Sequence, residues 1–518
     1  MNLNRRDFLT RMIGAAGVTA FGEINFPPSL FAYVSPGDLA ADPRRPQFHL
    51  LPAANWMNDP NGPIYWDGNY HMFYQYNPNG AYWGDMHWGH AISPDMVHWR
   101  HLPLALAPTL GGPDSAGCFS GTSVIDGDRV AVLYTGVVVA PENEATIRDG
   151  VSKFRESQCL AFGSGKDLTT WTKVPEPVIA KPPAGMDVSG FRDPSQWRQG
   201  DWWYVVVGSG VRGKGGAILL YRSRDLRHWD YLHLLAQGAG NGKDAANPVD
   251  SGDMWECPDF FPLGDKHVLI HSAEGKAFWQ SGVLDPQQLV FLPEQSGVLD
   301  YGSFYAPKTQ LDEKQNRILW GWIPETRPLE SYRTAGWAGM MSLPRVLGLD
   351  RNSRLRIAVA PAMERLRQSP QVLQISNSEE ENQDQIGRMT IKNCCGEILC
   401  TAKPTSGIFG LSLLGNAEAD TAPWLSVQYD PSQPNQIRLD EKTIPLQPDK
   451  AGELEFHFYI DGSAIETFVN RQAAYTKRFY YSGSSAPQLN LKISGKTTCL
   501  SSLSMWQLSP ISPNRLTT

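Results

Sequence analysis

Five times within the first 350 residues, a polar motif runs into a strand, a turn built on Asp or Gly, and a second, more apolar strand. The motifs begin near Asp59, Ser120, Asp193, Glu256 and Tyr305. The second strands read Tyr70-His-Met-Phe-Tyr-Gln-Tyr, Val130-Ala-Val-Leu-Tyr-Thr, Trp202-Trp-Tyr-Val-Val-Val, His267-Val-Leu-Ile-His and Arg317-Ile-Leu-Trp-Gly-Trp. One unit per ~60 residues, each able to bury its faces only against its neighbours, predicts a five-bladed β-propeller spanning residues 45–350. Almost no 3.6-residue apolar stripe appears, which disfavours helical solenoids. A second repeat, with Asp four residues before Trp, runs through the same region: Ser93-Pro-Asp-Met-Val-His-Trp99, Gly165-Lys-Asp-Leu-Thr-Thr-Trp171 and Ser223-Arg-Asp-Leu-Arg-His-Trp229.

The innermost strand of every propeller blade lines one central tunnel, so motifs opening successive blades converge on one spot. Three of them carry acids beside a proline: Asp59 in Trp56-Met-Asn-Asp-Pro-Asn-Gly62, Asp193 in Phe191-Arg-Asp-Pro194, and Glu256 in Trp255-Glu-Cys-Pro-Asp259. Proline cannot donate to a ladder, which puts each motif at a strand's beginning or on a rim. Cleaving a glycosidic bond needs one carboxylic acid to protonate the leaving oxygen and a second carboxylate to attack or to activate water. Glu256 has the more apolar sequence neighbours, which would raise its pKa and suit it to the acid role. Asn58 and Asn61 are placed to hold Asp59 ionised, and Arg192 to keep Asp193 charged.

From about residue 365 to 512 the punctuation changes. Trp424-Leu-Ser-Val-Gln-Tyr and Leu454-Glu-Phe-His-Phe-Tyr-Ile nearly alternate, and Leu454–Ile460 pairs with Ser463–Val469 across Asp461-Gly462 as a tight hairpin, so a β-sandwich is expected. The polar stretch Ser376–Asp384 belongs in its first loops. The fold class is therefore all-β throughout. A net charge of −7 without a basic block excludes a field that would draw nucleic acid or an anionic membrane, and favours a neutral substrate. Seven cysteines without zinc-like spacing predict no metal site and no disulfide framework. Residues 1–35, with Asn4-Arg-Arg-Asp-Phe-Leu-Thr10 before a short apolar stretch, read as a twin-arginine export leader, which implies a periplasmic or secreted protein that is free of the membrane after export.

Trp56-Met-Asn-Asp-Pro-Asn-Gly62, Arg192-Asp-Pro194 and Glu256-Cys-Pro258 together resemble the signatures of glycoside hydrolase family 32, the invertases, levanases and inulinases. Gln75-Tyr-Asn-Pro78, Phe119-Ser-Gly121, Phe304-Tyr-Ala-Pro307, Gly336-Trp-Ala-Gly339 and Leu343-Pro-Arg345 support it, and Asp461-Gly-Ser-Ala-Ile-Glu-Thr-Phe-Val-Asn470 resembles the family's C-terminal sandwich. The resemblance implies a retaining β-fructosidase that needs no cofactor and acts on terminal fructosyl units of sucrose or fructans such as levan and inulin. Asp59 would be nucleophile, Glu256 general acid/base, and Asp193 the transition-state stabiliser. Asn58, Gln75, Trp83, Ser120 and Arg192 would line the fructose subsite, with Trp56, Phe119, Tyr305 and Trp337 as aromatic neighbours. Where this chain departs from the family, Asp300-Tyr-Gly-Ser-Phe-Tyr is a residue short and lacks the usual acid before Phe-Tyr-Ala, in a loop expected to border the leaving group. Pro141–Glu156 looks like an insertion and is expected to be a surface loop. Transfer of fructose to another sugar, a fructan-binding protein without activity, and a five-bladed arabinan or xylan enzyme are the competing readings.

Overall fold

A computed structural model describes residues 34–149, 153–243, 245–372, 385–389, 391, 394–415, 422–447, 452–481, 489–494 and 500–512. The export leader falls almost entirely outside these residues, and the polar stretch Ser376–Asp384 falls wholly outside them. Among the described residues there are seven sheets, and five of them, between Asn55 and Val359, are the blades. Their inner strands are Asn55–Trp66, Gly117–Asp126, Val188–Gln199, Glu256–Leu263 and Tyr305–Leu311. Each pairs antiparallel with the predicted second strand.

The apolar runs of those second strands follow from their position between two neighbours. Val205 and Val207 pack with Ala131 and Leu133 of the second blade. Val206, on the opposite face of the same strand, packs with Phe260 and Leu269 of the fourth. A strand covered on both faces has no polar side to show, and each full burial of a Val contributes roughly 1.5–3 kcal/mol. The second repeat turns out to be a turn between third and fourth strands. Its Trp indoles donate to the carbonyl three residues back, Trp99 to Met96, Trp171 to Leu168 and Trp229 to Leu226, and those three residues all have positive φ.

Side chains stitch the inner strands into a ring around the tunnel. Ser123 donates to the Gly62 carbonyl at 2.6 Å, Thr122 to the Pro194 carbonyl at 3.0 Å, Ser195 to Asp259 at 2.9 Å, and Thr309 to Asp259 at 2.7 Å. A two-residue strand, Trp337–Ala338, closes the circle by pairing parallel with Asn55 and Trp56 of the first inner strand.

Two six-stranded sheets then form the sandwich, with inward-facing Phe456, Phe458, Leu411 and Leu491 in one core. A separate apolar cluster joins the two parts, mixing Phe261, Phe304 and Leu343 with Tyr459, Phe468 and Leu508. Beside it lies a fully buried set of charges. Asp461 accepts from the backbone N–H groups of Gln47, Phe48 and His49 and from His49 Nδ1. Glu466 bridges His49 Nε2 at 2.9 Å and Arg345 Nε at 3.0 Å, and Arg345 reaches Asp300 at 2.9 Å. Asp300 also accepts from the Thr476 hydroxyl at 2.6 Å. The segment expected to border a leaving group is thus anchored in the seam by its first residue, because an arginine and a threonine from elsewhere in the chain supply the partners that a buried carboxylate needs.

Candidate active site

All five inner strands break their ladder where the motif sits. Register shifts fall between Met57 and Pro60, Cys118 and Gly121, and Glu256 and Asp259, between Tyr305 and Lys308, and opposite Arg192–Ser195 in the third blade. A bulge of this kind re-aims a side chain out of the sheet. In the last three blades the residue before the proline, Asp193, Cys257 or Ala306, is left-handed with φ of 65°, 48° and 50°. L-residues hold such angles at a cost of about 1–3 kcal/mol, which surrounding contacts must offset. Proline in these motifs therefore marks a bulge at the mouth of the tunnel.

The bulges bring the three acids together. Asp59 is half-buried, and its carboxylate accepts from Asn58 Nδ2 at 3.1 Å and from the Ser120 hydroxyl at 2.7 Å. Asp193 is 3% exposed, and its Oδ2 accepts from the Cys257 backbone N–H at 2.9 Å. The Cys257 thiol lies 3.4 Å from that same oxygen and 3.5 Å from Asp59 Oδ2, so one sulfur touches both acids. Glu256 accepts from Arg192 at 3.0 Å and 3.2 Å, and from the Tyr305 hydroxyl at 2.7 Å.

One electrostatic expectation is corrected by this geometry and another is refined. Glu256 sits among a guanidinium and a phenol, not in an apolar setting, because its side chain turns from its sequence neighbours toward the tunnel. Arg192 favours the charged form of Asp193, as expected, but through space and not through a hydrogen bond: its guanidinium is shared between Glu256 and the fully buried Glu156, which it reaches at 2.8 Å. Burial works against the charge on Arg192, but Glu156 and Glu256 hold it well above its ordinary value. Burial raises Asp193 to about 7, with Arg192 opposing and Glu256 and Asp59 reinforcing the rise.

Glu156 also corrects the reading of Pro141–Glu156 as a surface loop. Thr146, 4% exposed, donates to Glu156 at 2.8 Å and accepts from its backbone N–H at 3.0 Å. The same carboxylate oxygen takes the Phe191 N–H at 2.7 Å, and the other oxygen takes Arg192. The segment is in part a strut under Arg192.

Aromatic walls surround the acids. Trp56 donates to the Asn58 side chain at 2.7 Å and meets Tyr332 at 6.1 Å and Trp322 at 5.8 Å between ring centres. Trp83 and Phe119, both partly exposed, pack edge to face at 5.9 Å. Gln75 stands behind this wall, 2% exposed, donating to the Cys118 carbonyl at 2.9 Å. Trp337 is not one of these rings. It is fully buried, bonded to Asp42 at 2.9 Å and stacked under Arg327 and Arg45, because its strand turns Ala338, and not the indole, toward Trp56. Tyr332, on the short helix Leu329–Ala335, and Trp322 take places that no motif announced. Glu156, Thr146 and the Cys257 thiol were missed too, although Cys257 stood inside a quoted motif. Among the described residues, no group of His, Cys, Asp and Glu could hold a metal ion.

Paired carboxylates at a tunnel mouth, fed by hydroxyl and amide donors and walled by aromatic rings, are equipment for glycosidic chemistry on a sugar. Comparison with known proteins agrees. The model of the glycosyl hydrolases family 32 N-terminal domain matches residues 49–361, and that of the family's C-terminal domain matches 362–507. A sucrose-6-phosphate hydrolase of Escherichia coli is 36% identical over 497 residues, covering 89% of this chain and 94% of the relative. Solved structures of a β-fructofuranosidase of Bombyx mori and of fructan 1-exohydrolase IIa from Cichorium intybus are each 28% identical, with TM-scores of 0.74 and 0.73. They cover 92% and 90% of this chain, and 97% and 98% of their own. With both family domains spanning it and the acid motifs gathered at one tunnel mouth, this chain belongs to glycoside hydrolase family 32, as a glycosidase of the β-fructosidase kind.

Proposed function

We propose that the protein is a retaining β-fructosidase that releases terminal fructose from sucrose or from fructans such as levan and inulin. The observation that carries this is the gathering of Asp59, Asp193 and Glu256 around Cys257, with Ser120 and Asn58 aiming the Asp59 carboxylate. Asp59 attacks the anomeric carbon as Glu256 protonates the leaving oxygen, and Glu256 then takes a proton from the water that frees fructose. Tyr305 and Arg192 hold Glu256 in place for both steps. Asp193 accepts hydrogen bonds from fructose hydroxyls and stabilises the positive charge that develops on the ring. The protein is exported by its twin-arginine leader, which suits a substrate met outside the cytoplasm.

Product chromatography on sucrose, levan and inulin tests the reading, with Glu256→Gln alongside. Free fructose as first product, released with retained configuration, is expected from the wild type. Fructosyl oligosaccharides in its place would indicate transfer, and no product from any of the three would overturn the assignment. Cell fractionation with and without Arg5→Lys and Arg6→Lys tests export.

A further inference from the structure

Lys308 lies two residues beyond Ala306 on the fifth inner strand and is completely buried. Its Nζ donates to the Pro258 carbonyl at 2.7 Å. Pro258 follows Cys257, whose N–H and thiol both hold Asp193. The neighbouring Thr309 gives its N–H and its hydroxyl to Asp259, each at 2.7 Å, so the strand that carries the ammonium is pinned to the strand that carries Glu256. A dry ammonium is costly unless negative charge stands near it.

That charge is present in excess. Within electrostatic reach of Asp193 are Arg192 on its own strand, Asp59 from the first inner strand, Glu256 from the fourth and Lys308 from the fifth, and Cys257 of the fourth bonds it directly. Glu156, from the second blade, stands behind Arg192. The charged groups at the next residue, Thr309, are Asp259 from the fourth inner strand and Arg317 from the strand following its own, the guanidinium of the latter lying over Phe261 at 4.7 Å. Four carboxylates thus share one guanidinium, and that guanidinium is already bonded to two of them.

We propose that Lys308 is a positioning residue of the acid cluster: its buried ammonium is the second cation, beside Arg192, that keeps Asp193 anionic and ready to accept fructose hydroxyls. The proposal rests on the fructosidase reading, in which Asp193 must be ionised to bind. Removal of the ammonium leaves the two neighbouring acids and burial to push Asp193 further up, so less of it is anionic at a given pH and the acid limb of activity moves upward.

Two variants separate the charge from the hydrogen bond. Lys308→Met loses both, and Lys308→Gln keeps an N–H donor for the Pro258 carbonyl but loses the charge. The measurement is kcat/KM against pH on sucrose or levan oligomers, with thermal unfolding of each variant at matched pH. Both variants should show an acid limb about one pH unit above wild type, hence about tenfold less activity below the limb and near wild-type activity above it. An unmoved limb in Lys308→Gln overturns the proposal. So does a limb moved in Lys308→Met but restored by Gln, which would assign the effect to the hydrogen bond. Should Lys308→Met fail to fold, Lys308→Arg takes its place and must keep the wild-type limb. Wild-type protein inactive at every pH would instead overturn the fructosidase reading and remove the premise.

Discussion

Two buried clusters of charge lie at different depths of this molecule and are furnished very differently. In the seam between propeller and sandwich, Asp461, Glu466 and Asp300 meet His49 and Arg345, all fully buried. Asp461 accepts four hydrogen bonds from nitrogen donors and a weaker one from the Cys395 thiol, and Glu466 accepts from His49, the Leu343 N–H and two nitrogens on one edge of Arg345. At the tunnel mouth, by contrast, Asp193 is held through one oxygen by a backbone N–H and a thiol, a weak donor. A carboxylate whose needs are met inside the protein has nothing to offer a ligand. One that is desolvated but sparsely bonded gains most when hydroxyls arrive, which is how a site holds binding energy in reserve.

The contrast breaks first at Glu256. Glu256→Gln should lower kcat by about 10²–10⁴, the usual contribution of a general acid/base, while thermal unfolding stays close to wild type. Arg345→Met should do the opposite. Removal of one partner of a buried pair costs about 3–5 kcal/mol, read as a lower denaturant midpoint, with kcat of the remaining folded enzyme little changed. Loss of activity without loss of stability in Arg345→Met would mean that the seam reaches into the chemistry.

Asp193→Asn sharpens the comparison further. Asp193 is raised by burial from 3.8 to about 7, so its contribution to stability is present below pH 3.8 and lost as pH rises through 7. At pH 8 the Asn variant should therefore be more stable than wild type, on the order of 1–3 kcal/mol by denaturant titration, though inactive. His49 supplies the smallest effect and a later window. Burial opposes its charge, yet Asp461 and Glu466 raise it from 6.5 to about 9, so its contribution is complete below pH 6.5 and lost as pH rises through 9. Melting temperature should fall across that interval in wild type and fall less in His49→Gln.

The parts legible in the sequence were those written in short range. Hairpins announce themselves through apolar second strands, and Asp59, Asp193 and Glu256 through prolines that the structure places at bulges. What stayed hidden was contact across long separations. Glu156 meets Arg192 thirty-six positions away, and Thr146 supports it from a loop whose mixed charges looked like ordinary surface. Trp337 misled because an indole in a family motif looks like a platform for a sugar, whereas pairing with Asn55 fixed which way it faces. Asp300 misled similarly, its partner Thr476 lying 176 residues on. Lys308 carried no signal at all: one lysine in a strand is unremarkable until its burial is known.

The two-residue strand that shuts the ring has a bearing on when this enzyme begins to exist. Trp337 and Ala338 pair with Asn55 and Trp56, the residues that lead directly into Asn58 and Asp59. Asp59 is made early by the ribosome, but the edge that its strand leans on arrives some 280 residues later. A nascent or truncated chain ending before that edge holds all three acids in its sequence and yet has an open seam beside the first of them. The support of the first acid's strand on this side thus belongs to the finished circle.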